Sequence, residues 1–170
     1  DQGRDVVARL IYGFRISVFF ALIVSAVAAL AGIFYGSIQG FFAGWTDIAM
    51  ERAVEIWGAM PTLYMLIIFS ALFSPSLGLL IVLIAAFGWL GIASYVRAEF
   101  LKNRSLDYVR AARALGQKKS VIIFRHILPN ALTPVITLLP FEMAGAIGAL
   151  TSLDFLGLGV PPDTPSLGEL

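Results

Sequence analysis

The chain has no cysteine, a single histidine, and charged residues at only 14% of its 170 positions. Without cysteine there is no disulfide, no thiolate nucleophile and no thiolate metal ligand, and the redox compartment stays open. The lone His126 cannot build an H-E-x-x-H site, nor is there a second histidine for a catalytic triad. A G-x-x-x-x-G-K-[ST] phosphate loop is missing throughout, so nothing here binds ATP in that way. Scarce charge, 59% hydrophobic residues and a mean hydropathy of +0.88 exclude an ordinary soluble domain. The composition is that of a protein living in lipid.

Four apolar stretches are present. Residues 16–46 hold no charge at all, and about 20 residues suffice to cross a hydrocarbon core. This first span is placed at 16–44, preceded by an amphipathic entry segment with Val6, Val7, Leu10 and Ile11 at roughly helical spacing, suited to a membrane surface. Ser17, Ala21, Ser25, Ala28, Gly32, Gly36, Gly40 and Gly44 form a small-residue stripe, which serves either packing within the chain or a seam against a second subunit. The other spans are expected at 56–73, broken by Pro61, at 77–96 after a Ser74-Pro75-Ser76 turn, and at 131–152. Asp47, Glu51 and Glu55 share one face of the first connection, either solvated or turned toward a basic partner. Glu142 lies near mid-span, where charge is costly unless it meets water or a partner. Lining a translocation path and bonding a neighbouring helix while neutral are both open to it.

The remaining polar stretch, 97–130, holds eight of the twelve Lys and Arg residues, with only Glu99 and Asp107 against them. A short loop of net charge +6 stays on the cytoplasmic side. A helix from Tyr108 to Leu115 is predicted, capped by Ser105 or Asp107, with Gly116 as its left-handed terminator. A second helix is predicted from Lys118 to Leu128, stopped by Pro129, with Asn130 capping the next span. Ala111, Ala112 and Ala114 leave the first helix nearly bare for another surface to approach.

The pattern Arg110-Ala111-Ala112, three residues, Gly116, nine residues, then His126-Ile127-Leu128-Pro129-Asn130 resembles the EAA loop of ABC-importer permeases. Arg110 stands where that family has glutamate and His126 where it has isoleucine; His-x-Leu-Pro-Asn is the form of the peptide branch. Thr151-Ser152-Leu153-Asp154-Phe155-Leu156-Gly157-Leu158-Gly159-Val160 is similar to the signature that follows the loop in peptide and nickel permeases. The entry 1–10 and the end 165–170 add a likeness to the Yej-type group, which imports microcin C and oligopeptides.

The resemblance implies an all-α, polytopic transmembrane bundle of MetI-like fold in the bacterial inner membrane. It implies coupling through Arg110, Ala111, Ala112, Gly116, His126, Leu128 and Pro129, with Leu128 and Pro129 setting the exit angle. Expected partners are ABC ATPase subunits, a second permease subunit, an external (periplasmic or extracellular) substrate-binding protein and the bilayer; nucleic acid is not among them. No cofactor or metal is expected in the chain itself, ATP being bound by the partner subunit. The chain is therefore not expected to be an enzyme. Dipeptide or nickel import is the nearest alternative, and a channel or a proton-coupled carrier using Glu142 a more distant one. With 97–130 inside, four spans put Asp1 and Leu170 outside. An outside N-terminus with no signal-peptide pattern implies a missing upstream span. The resemblance implies one helix before this region and at least one after it, so the native protein is expected to be longer at both ends.

Overall fold

The computed structural model describes residues 6–73 and 76–159. The turn read at 74–75, the first five residues and everything from Val160 onward lie outside them. The described residues are almost wholly helical, with no strand among them. In order come α1 (Val6–Phe42), α2 (Gly44–Gly58), α3 (Thr62–Leu72), α4 (Leu77–Asn103), α5 (Asp107–Ala114) and α6 (Lys119–Phe155). Three of these, α1, α4 and α6, are long and apolar enough to cross a membrane; α2 and α3 qualify only as one broken pair.

The entry segment is not a separate surface helix. From Val6 the chain enters α1 directly, and 37 residues make a rod of about 55 Å, well beyond the ~30 Å of a hydrocarbon core. No proline interrupts 6–42, and a single mid-helix glycine such as Gly13 costs only about 1 kcal/mol. What does end α1 is a pair of left-handed residues, Ala43 (φ 51°) and Gly44 (φ 58°). Gly44 thus leaves the small-residue stripe and serves a turn.

The expected span 56–73 is likewise divided. Helix α2 ends at Gly58 and α3 begins after Pro61, whose extended backbone (ψ 112°) cannot continue a helix. Eleven residues give α3 about 16 Å, too short to cross alone.

The chain packs as two compact units. One comprises Ala28–Ala59 with Trp89–Leu139. Here α1 and α4 approach backbone to backbone: a Cβ on Gly32 would meet Ile92 Cβ at 2.8 Å, and one on Gly40 would meet Phe100 Cβ at 2.5 Å. Only glycine permits that approach, so from Gly32 to Gly40 the stripe packs within the chain. Ile92, Val96 and Phe100 join Val109, Ala112, Ile122, Ile127, Ala131 and Val135 in a single buried cluster. The other unit takes the described residues up to Val27, Met60–Gly88 and those from Pro140 on. Its core gathers Phe20, Val24, Leu66, Leu80, Leu83, Leu150 and Leu153.

Candidate functional site

The basic loop folds as a braced elbow. Helix α5 carries its apolar residues on one side: Val109 and Ala112 are buried, while Arg110, Ala111, Ala114 and Leu115 face out. Leu106, not Ser105 or Asp107, occupies the N-cap, and no side chain caps the helix. Ser105 instead donates its hydroxyl to the Lys102 carbonyl, 2.8 Å away.

The C-terminus behaves as its sequence dictates. Gly116 sits at φ 72°, its N–H donates to the Arg113 carbonyl, and the Gln117 N–H donates to the Ala112 carbonyl. This pair of bonds is a Schellman motif, which satisfies two carbonyls the helix would otherwise leave open.

Beyond Gly116 the expected second helix does not stop at Pro129. It runs on through Pro129, Pro134 and Pro140 to Phe155 as α6. A six-residue π segment, Ile122–Ile127, lies just ahead of Pro129, and the Leu128 N–H bonds back to the Ile123 carbonyl. That wider turn accommodates a ring that would press on the Arg125 carbonyl of a regular α-helix. Asn130 therefore caps nothing: its amide donates to the His126 carbonyl (3.1 Å) and to the Tyr108 hydroxyl (3.2 Å).

Those bonds belong to a longer polar chain. Tyr108 donates to Asn103 Oδ1 (3.0 Å), and the buried Asn103 amide donates to the Glu99 carbonyl (2.8 Å). At the far end, His126 Nε2 lies 2.8 Å from Gln117 Oε1. The end of α4, both ends of α5 and the start of α6 are thereby tied together. Asn103, Tyr108 and Gln117 lie outside the residues that the motif picked out.

Of the motif residues, Arg110 is exposed, with a long 3.9 Å contact to the fully exposed Asp107. Ala112 faces the chain's own core at 3% exposure, so of the two adjacent alanines it is Ala111 that meets the surroundings. Pro129 is exposed, and Leu128 packs partly buried against the same core. Leu115, 79% exposed at the tip, has no counterpart in the sequence reading. A large apolar residue next to a Schellman glycine usually reads as a helix-end packing contact, so its exposure was hidden.

The acidic face of α2 meets a basic partner inside the chain. Arg97 donates through Nη2 to Asp47 Oδ2 (2.8 Å) and through Nε to Asp47 Oδ1, with Glu51 at 3.6 Å. Gln39 donates to Glu51 Oε2 at 2.6 Å. Glu55 pairs with Arg52 on the same helix. Arg97, counted by sequence among the loop's free cations, is thus committed to α2.

In the other unit Glu142 is partly buried and forms no ion pair among the described residues. Gly145 and Gly148 have nothing within 4 Å of where a Cβ would stand, and Ser152 is exposed beside them.

An all-helical chain with long apolar helices and a braced basic elbow is the architecture of a transport permease. A family model of the binding-protein-dependent transport system inner membrane component matches residues 32–169, and the chain belongs to that family. It is a multi-pass inner-membrane protein of MetI-like fold. It is 53% identical over 170 residues to the peptidoglycan transport system permease protein YejE of Agrobacterium fabrum, covering 100% of this chain and 45% of that one. Identity to the inner membrane ABC transporter permease protein YejE of Escherichia coli is 46% over 169 residues, covering 99% and 50%. The oligopeptide transport system permease protein OppC of Bacillus subtilis is 35% identical over 170 residues, covering 100% and 56%. The chain spans about half the length of the curated relatives it matches.

Proposed function

We propose that this chain is the permease part of an ATP-driven importer for oligopeptides or peptide-like compounds, the microcin C type included. The name of the OppC relative supports that substrate class, the Agrobacterium fabrum relative is named for peptidoglycan transport, and a dipeptide permease relative at 36% identity keeps dipeptides as the second reading. ATP is bound and hydrolysed by partner subunits. A second permease subunit completes the pathway, and an external binding protein delivers the substrate.

One observation carries the coupling role: the outward face of α5 presents Arg110, Ala111, Ala114 and the exposed Leu115 from a helix braced on both sides. Small side chains let a cleft close around the helix, and one protruding leucine offers it an apolar anchor. Gly116 and the hydrogen bonds about His126 hold that face rigid. Leu128 and Pro129 pass its displacement into α6. When two ATPase subunits close on ATP, the braced elbow moves with them and carries the start of α6 along. Glu142, farther along α6, lines the path or, while neutral, bonds a neighbouring helix.

The test separates the two alanines. Ala111→Glu with Leu115→Asp in the full-length subunit is expected to abolish ATP-dependent uptake and release the ATPase subunit on co-purification, with membrane insertion unchanged. Ala112→Glu is expected to lower the amount of folded subunit instead, because its side chain points into the core. Normal uptake with a normally bound ATPase in the outward double variant would sink the coupling assignment.

A further inference from the structure

An open groove of about 380 Å³ lies where α1 ends, lined by Phe41, Phe42, Arg104, Arg113, Gln117 and Lys119 among others. Three cations converge there, and none of them makes an ion pair with a carboxylate among the described residues. Arg104 bears on Asp47 only through its field, and both Asp47 oxygens are already held by Arg97. The Arg113 guanidinium stands 5.6 Å from the centroid of the Phe41 ring, and Lys119 Nζ 5.5 Å from that of Phe42. Aromatic faces so placed hold the cations without neutralising them.

The position selects the occupant. Phe42 is the last residue of a membrane-crossing helix and is half exposed, and Trp45, just beyond, is 86% exposed, as aromatics at a bilayer interface are. The basic loop faces the cytoplasm, where the leaflet is rich in anionic lipid. A ligand here has a phosphate for Arg104, Arg113 and Lys119, a polar group for Gln117, and acyl chains beside Phe42.

We propose that this groove binds the headgroup of an anionic phospholipid, such as phosphatidylglycerol, at the foot of α1. The site requires only that the basic loop meet the cytoplasmic leaflet, so it stands or falls separately from coupling. A lipid seated there touches both α1 and the residue after the Schellman glycine, and so would make elbow packing depend on lipid composition.

The assembled full-length transporter, reconstituted in nanodiscs of phosphatidylcholine with or without phosphatidylglycerol, is read by native mass spectrometry for retained lipid. The wild type is expected to retain phosphatidylglycerol preferentially. Arg104→Gln/Arg113→Gln/Lys119→Gln is expected to reduce retention on the order of a hundredfold. The charge-matched Lys102→Gln/Lys118→Gln/Arg125→Gln is expected to keep it. Equal loss in both variants would mean diffuse attraction and overturn the site. Displacement of the lipid by millimolar inorganic phosphate would make it a free-phosphate site, and loss of the ATPase subunit with lipid retention unchanged would give the groove to a protein partner; either result also overturns it. Should the triple variant not fold, Lys119→Gln alone, at an exposed position, is expected to lower retention by roughly fivefold. No change there would count equally against the proposal.

Discussion

The two compact units of this chain differ in how far their charged side chains are paired. In the unit that carries the elbow, polar side chains are spent on one another: Asp47 and Glu51 on Arg97, Gln39 on Glu51, Tyr108 on Asn103. In the unit that carries Glu142, the hydroxyls of Ser17 and Ser25 are buried without a hydrogen-bond partner, as that of Ser37 is in the elbow unit, and Glu142 has no ion pair among the described residues. The first unit ties its charged side chains into a network of its own. The second leaves the partly buried Glu142 outside any such network.

The largest effect that would sharpen this contrast comes from glycines in the two units. Gly40→Leu drives a side chain into Phe100 and the Arg97 carbonyl, which lies 2.7 Å from an ideal Cβ. It is expected to cost about 3 kcal/mol and to deplete folded subunit from membranes. Gly148→Ala meets nothing within 4 Å and is expected to leave the thermal midpoint of the isolated subunit unchanged or higher. If the two variants unfolded alike in a detergent melt, the difference in packing would be false.

Next in size is the ion cluster. Arg97→Met removes the partner of two carboxylates, with Asp47 at 15% and Glu51 at 33% side-chain exposure. The loss is expected to be about 2–3 kcal/mol, reduced from the fully buried case because water still reaches the site. Arg97→Met combined with Asp47→Leu is expected to recover part of it, since one unpaired charge is gone. A strictly additive double variant would show that Arg97 and Asp47 do not act as a pair.

Much of this was legible in the sequence because it rests on short-range physics. Uncharged runs announce long apolar helices, and the Arg97–Asn130 charge excess announces a polar elbow between them. Gly116 announced a left-handed helix end because no other residue adopts that backbone as cheaply. The small-residue stripe also read correctly as close packing, although its partner, α4, was not visible from spacing. What sequence hid was contextual. Pro129 stops an isolated helix, yet here a π segment ahead of it spreads the turn and the helix continues. Ala111 and Ala112 look interchangeable in a motif, and only tertiary packing tells which faces out. The partner of Asp47 is fifty residues away, beyond any local pattern.

The smallest expected effect bears on whether the lever is stiff or merely compact. Tyr108→Phe keeps the ring and deletes only the hydroxyl that bridges Asn103 and Asn130. Removing one bridging hydroxyl with two bonds at a partly exposed site is expected to cost about 1–2 kcal/mol, a small change in the thermal midpoint. The packing of Val109 and Ala112 is untouched by it, so α5 stays folded. What should change is the independence of α5 from α6: amide exchange across 107–114 is expected to accelerate while exchange in the Gly40-packed stretch of α4 stays fixed. If the elbow couples as proposed, uptake per ATP hydrolysed should then fall while the ATPase subunit remains bound, because a loosened elbow would still dock but transmit less. If exchange and coupling both held at wild-type levels, hydrophobic packing alone would brace the elbow, and its polar chain would have no part in making it a lever.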